Sequence, residues 1–100
     1  MLTRIIIPTK DGQGNLIENN LNHYLAIIAQ KYGGYTLTQG SGGWVNDNGL
    51  LIQETVYIVD CDTEEPDKPF WHDLASTIKA ETAQESVYLR QSPLPYPDFI

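Results

Sequence analysis

Trp44-Val45-Asn46-Asp47-Asn48-Gly49-Leu50-Leu51-Ile52-Gln53-Glu54-Thr55-Val56-Tyr57-Ile58-Val59 is the stretch from which the fold can be read. Asn48-Gly49 between apolar runs predicts a hairpin with a type I′ turn, because that turn needs positive φ at both central residues. From Leu50 to Val59 the side chains fall into two alternating sets, so a strand begins directly after the turn. One set is Leu50, Ile52, Glu54, Val56 and Ile58, and the carboxylate of Glu54 is its single charged member. The other is Leu51, Gln53, Thr55, Tyr57 and Val59. A carboxylate among Ile52, Val56 and Ile58 is expected to be desolvated, which raises its pKa toward the general-acid or general-base range. The alternative is a structural one, with Glu54 paired across the sheet to Arg4, Arg90 or a lysine.

Before the hairpin lies Gly33-Gly34-Tyr35-Thr36-Leu37-Thr38-Gln39-Gly40-Ser41-Gly42-Gly43, which holds five of the eight glycines. Tyr35 to Thr38 alternates as a half-buried strand does, and Gly40 to Gly43 then reads as an interruption. Consecutive amides of Gly40-Ser41-Gly42-Gly43 can form an anion nest. The alternative, and the favoured one for such a run, is a flexible or bulged strand junction. The lysine and spacing of a phosphate loop are missing, and no dinucleotide fingerprint is present. Thr38, Gly40, Ser41, Gly42, Gly43 and Trp44 are therefore the candidate ligand-binding residues. Trp44 stands between contacting a ligand or neighbour and covering the sheet.

Upstream, Arg4-Ile5-Ile6-Ile7 is a short strand ended by Pro8, and Asp11 to Asn15 is dense in turn formers. Leu21, Tyr24, Leu25, Ile28 and Tyr32 then recur at helical spacing, predicting a helix over 16–32 with Asn19 or Asn20 as N-cap and Gly33 past its end. Downstream, 60–68 is expected as an exposed acidic loop. Asp67 caps a second helix with Pro69 in its first turn and Phe70, Trp71, Leu74, Ala75 and Ile78 along one face, ending near Ala83 or Gln84. Ser86 to Arg90 alternates as a last strand, and residues 93–100 are expected as an extended Pro-rich tail, either docked on a partner or adjacent subunit or disordered.

The order β, α, β, β, α, β predicts one α+β domain over 1–92 with a ferredoxin-like four-stranded antiparallel sheet and two helices on one face. An uncovered second face on a small domain points to a homo-oligomer. The pattern Gly34-Tyr35-Thr36, Trp44, Gly49, Glu54, Val56 to Val59 and Glu85 to Leu89 resembles that of small uncharacterised bacterial and phage proteins. More distantly the order and length are similar to the PII-like and CutA-like proteins, trimeric ferredoxin-like modules. The resemblance to PII relatives implies small ligands, often nucleotides, between subunits beside the connection of the second and third strands. This chain has no long basic loop there and no cluster of cations for a triphosphate.

Charge narrows the partners further. The net charge is −7, and the basic residues Arg4, Lys10, Lys31, Lys68, Lys79 and Arg90 are scattered singly. Direct nucleic-acid binding, which needs clustered cations, is not expected. A small anionic ligand or a protein partner is, with no membrane association. At 41% hydrophobic and without an apolar run long enough to span a bilayer, the chain is expected in the cytoplasm. Cys61 is the single cysteine, and His23 and His72 are isolated, so no metal site and no cofactor are expected. With no catalytic constellation recognisable, the leading expectation is a non-enzymatic, self-associating binding module, sequestering or regulatory. The rivals are a cofactor-independent enzyme using Glu54 and a histidine, His72 foremost, as acid and base, and a structural assembly subunit.

Overall fold

The long strand that contains Glu54 runs from Leu51 to Asp62 and organises the sheet. In the computed structural model, which describes residues 1–64, 67–92 and 97–100, the elements are β1 (Leu2–Pro8), α1 (Glu18–Tyr32), β2 (Thr36–Val45), β3 (Leu51–Asp62), α2 (Lys68–Thr82), β4 (Tyr88–Gln91) and β5 (Asp98–Phe99). They form an α+β fold with one sheet of order β2-β3-β1-β4-β5, in which every neighbouring pair is antiparallel. The sheet therefore has five strands where four were expected. The fifth comes from the tail: Tyr88 faces Phe99 and Leu89 faces Asp98, and the Val87 and Ile100 amides each donate to the other's carbonyl, at 3.1 and 3.0 Å. The remainder of the expected extended tail, 93–96, lies outside the described residues.

Strand parity separates two faces. Ile5 opposite Val59 and Leu89, and Ile7 opposite Tyr57, share a face and join Leu21, Tyr24, Leu25 and Ile28 of α1 with Trp71, Leu74, Ala75 and Ile78 of α2 in one core. Both helices thus cover the same side, each through an apolar stripe at 3.6-residue spacing. The Trp71 ring is fully buried and stacks on Tyr32 at 5.6 Å, with Phe70 edge-on to both. The other face carries Arg4, Ile6, Glu54, Ile58 and Asp60, with no helix over it.

Helix ends follow the local chemistry only in part. Gly33 takes φ +90° and its amide donates to the Ala29 carbonyl, as a left-handed C-cap does. Asp67 accepts from the Phe70 amide at 3.3 Å and caps α2. The first helix, however, begins at Glu18 behind Ile17, with no side-chain cap, and neither Asn19 nor Asn20 serves. Its entry is held instead by backbone, through the Ile17 amide on Thr9 O at 3.1 Å and the Lys10–Leu16 bridge. Ile17 is itself buried, so tertiary burial supplies what capping does not.

The β2–β3 turn also differs from the type I′ expectation. Only Gly49 takes positive φ, and the Asn46 carboxamide oxygen accepts from the amides of Asn48 and Leu50 at 2.9 and 3.0 Å. This Asx geometry closes a longer loop, so pairing resumes at Val45 with Leu51. Likewise Asp60 to Asp62 belong to β3 and not to the acidic loop, because they pair with Arg4, Thr3 and Leu2.

Gly12 is required by close approach. Its amide donates to Thr82 O at 2.8 Å, and an added Cβ would collide with the backbone carbonyl of Ala83. Because the obstructing atom is backbone, something must shift to admit a side chain. Gly12→Ala is expected to cost about 1–3 kcal/mol in urea-unfolding midpoint measurements, as overpacked positions do.

Candidate active site

Gly40 to Gly43 are ordinary strand. Every residue from Thr36 to Val45 has a partner in β3, without a bulge, so the anion nest and the bulged junction both give way to a regular ladder. The reason for the glycines is visible across the pair. A Cβ on Gly40 would stand 3.1 Å from Ile58 Cδ1, and one on Gly42 3.4 Å from Val56 Cγ1. The branched side chains of β3 therefore lie over bare β2 backbone, an approach glycine permits. Among the candidate ligand-binding residues, Thr38, Gly40, Gly42 and Trp44 share the helix-free face by alternation, while Ser41 and Gly43 belong to the opposite parity. Trp44 is 49% exposed, so about half of its own surface stays in solvent.

Glu54 stands opposite Gly42 on the same helix-free face. Beyond Pro8, which pairs with Val56, the β1 ladder stops, while β2 and β3 continue together to Val45 and Leu51. At the overhang a recess of about 490 Å³ is lined by Thr9, Lys10, Ser41, Gln53, Glu54 and Thr55, of which Ser41, Gln53 and Thr55 have the parity opposite to Glu54, so the recess lies at the strand edge that β1 leaves free. That volume lies within the roughly 300–1,000 Å³ typical of small-molecule sites. Thr9 is tied to β3 through its amide and hydroxyl, both on Thr55 O, at 3.3 and 3.1 Å. Desolvation pushes the Glu54 carboxyl above its ordinary value. Among the described residues the ion pairs join Arg4 to Asp60, Lys31 to Asp67 and His72 to Asp98, and none includes Glu54.

The histidine partner expected for Glu54 is not supplied. His72 Nε2 lies 3.2 Å from Asp98 Oδ2, pinning β5 to α2 on the other side of the sheet, and His23 is exposed on α1. The cross-strand neutralisation considered for Glu54 does not occur either, since Arg4 closes a bidentate pair with Asp60 at 2.7 and 2.9 Å. Sequence reading missed Thr9 and Lys10 as neighbours of Glu54. Their only signal was position: they follow the strand-ending Pro8.

A second recess, of about 280 Å³, lies toward the far end of the same strand pair, lined by residues that include Tyr32, Tyr35, Thr36, Asp60, Cys61 and Asp62. Tyr32 is held there by its hydroxyl on Asp67 at 2.9 Å, and its phenol is pushed up to about 12, first by burial and then by that carboxylate. The buried Cys61 thiol donates to Gly34 O at 3.4 Å and is raised by burial and by Asp62, so it is poorly suited to act as a nucleophile. No group of three or more potential metal ligands occurs among the described residues, and no helix of theirs is long and apolar enough to cross a membrane.

No protein-family model and no curated protein matches the chain. Two solved structures share its fold. A phage SAM lyase in complex with S-methyl-5′-thioadenosine superposes with a TM-score of 0.65 at 20% identity, covering 99% of this chain and 87% of that one. The phage SAM lyase in its apo state gives 0.60 at 18% identity, covering 99% and 86%. At that identity the likeness is one of fold. It overturns the expectation of a non-enzymatic module, which rested on there being no recognisable catalytic constellation. The architecture that this chain shares almost end to end is, in the phage proteins, that of an enzyme.

The raised Glu54 carboxyl has a consequence for stability. A carboxyl whose folded pKa exceeds its unfolded value binds its proton more tightly in the folded state, so stability is lost as pH rises through the carboxylate range. Glu54→Gln removes that loss. The variant is expected to melt above wild type at pH 7, with the gap closing below about pH 4, the ordinary glutamate range; melting curves across pH 3–8 check this.

Proposed function

We propose that the protein is a carbon–sulfur lyase acting on S-adenosylmethionine or a closely related nucleoside sulfonium, with the Glu54 recess as its active site. The observation that carries this reading is the end-to-end fold correspondence with the phage SAM lyase bound to S-methyl-5′-thioadenosine. The chain's own chemistry supports it. A sulfonium nucleoside with a free amino-acid end is a net cation, and the net charge of −7 would draw it in where it would repel a nucleotide triphosphate. Glu54 lines a recess of suitable size, and among the described residues no ion pair includes it. This replaces the small anionic ligand with a cationic one.

Cleavage needs little from the protein. When the bond between sulfur and the γ-carbon of the amino-acid chain breaks, its electron pair goes to sulfur, which leaves as a neutral thioether without a proton. The remaining four-carbon fragment is completed either by its own carboxylate closing on the γ-carbon, or by loss of a β-proton to give an alkene. Attraction between Glu54 and the sulfonium weakens as that charge disappears, so it contributes to binding more than to rate. Rate comes from Glu54 as the proton acceptor of the second route, for which its raised pKa suits it, and from orienting the substrate. The histidine of the earlier acid–base scheme has no part.

The strand order β4-β1-β3-β2 with both helices on one side supports a ferredoxin-like core, to which β5 is an addition. We also infer self-association through the helix-free face, where Trp44 and Phe99 remain 49% and 67% exposed. Light scattering at micromolar concentration is expected to give a multiple of 11.2 kDa; a monomeric mass would remove that part of the reading.

The direct test is chromatography of S-adenosylmethionine incubated with the protein. Release of S-methyl-5′-thioadenosine above the enzyme-free rate is expected; on the alkene route kcat/KM falls about 10²- to 10⁴-fold in Glu54→Gln, as loss of an acid–base group does, and on the lactone route the fall is smaller and lies mainly in KM. The co-product, lactone or alkene, reports the route. Absence of release and of any melting shift with the substrate would sink the proposal.

A further inference from the structure

The recess holds a second charged group that the proposed reaction does not use. Among its lining residues Lys10 is the one cation, set in the same small space as Glu54 yet not ion-paired with it. Left to themselves, a mobile lysine and a nearby carboxylate tend to close on one another. Here the backbone that carries Lys10 is fixed from several sides. Its carbonyl accepts from Gln84 Nε2 at 2.9 Å, and it bridges to Leu16. Its neighbour Thr9 is bonded to Thr55 and Ile17. On the other side Asp11 accepts from the Gln13 and Asn15 amides at 2.8 and 2.9 Å, bonds that hold its carboxyl below the ordinary value. The ammonium is therefore carried by a fixed segment bordering the recess, while its four-carbon stem keeps the reach to meet a ligand.

We propose that Lys10 is a specificity-determining residue that receives the α-carboxylate of the substrate, so that the recess selects sulfonium compounds with an intact amino-acid end. This rests on the lyase reading above. A zwitterionic chain places a carboxylate and a cationic sulfur a few bonds apart, and the recess offers one charge of each sign to match them. Glu54 faces the cation and Lys10 the anion. A decarboxylated sulfonium would gain nothing from Lys10 and, as a dication, would be repelled by it.

The experiment measures KM for S-adenosylmethionine and KM or competitive Ki for its decarboxylated analogue, in wild type, Lys10→Ala and Lys10→Arg. Lys10→Ala is expected to raise KM for S-adenosylmethionine roughly ten- to hundredfold, the range for a lost charge-assisted hydrogen bond. The same change should leave kcat within about threefold, since the α-carboxylate contact is common to ground and transition states. Decarboxylated analogue binding should be unchanged or tighter, and Lys10→Arg should retain most of the wild-type preference. The exposed Lys10 side chain makes no described hydrogen bond, so the melting temperature should hold. Equal weakening of both compounds, or no change in either, overturns the role of Lys10 while leaving the lyase reading intact. A wild type that neither binds nor cleaves S-adenosylmethionine overturns both.

Discussion

The unequal length of neighbouring strands is the constraint from which the rest follows. β3 pairs with β1 only from Val56 to Asp62, but with β2 from Leu51 to Asp60. The surplus of the β2–β3 ladder hangs past the end of β1, and Thr9 and Lys10 turn away beneath it. Glu54 is among the residues that line this recess, and its partial burial raises its carboxyl above the ordinary value.

Gly40 lies at the last β1-covered position and Gly42 within the overhang. Two strands extending beyond their sheet gain stability from cross-strand packing, and Gly40 and Gly42 let Ile58 and Val56 settle across the backbone. A Cβ on Gly40 would press on Ile58, whereas one on Gly42 would meet Val56 at about ordinary contact distance.

Much of the architecture was legible in the chain, and the reasons differ by element. Both helices were plain because the stripes Leu21 to Tyr32 and Phe70 to Ile78 are long and strictly spaced, and Gly33 and Asp67 mark their ends. The β2–β3 hairpin was plain from Asn46 to Gly49, although the Asx bonding of Asn46 and not a type I′ geometry closes it. Gly40 to Gly43 misled, since composition marks a break where the partner strand decides otherwise. β5 was illegible: Asp98-Phe99 has no periodicity, and only its pairing with β4 makes it a strand. For the site, Glu54 stood out as the charged member of an apolar set, whereas Lys10 could not, because no local pattern says that a residue after Pro8 will lie beside a strand more than forty positions away.

The place of β1 has a kinetic side. It is the sheet's centre, flanked by β3 and β4, yet it precedes both in the chain, and Leu2 must find Asp62. Loop closure over such spans is slow compared with the formation of either helix. Until it occurs, Ile5-Ile6-Ile7 is an apolar, β-branched segment without a hydrogen-bonding mate, the kind of sequence that seeks one in another molecule. Crowded, freshly made copies of this polypeptide would be most prone to clump in that interval, before the native partners have reached the middle of the sheet.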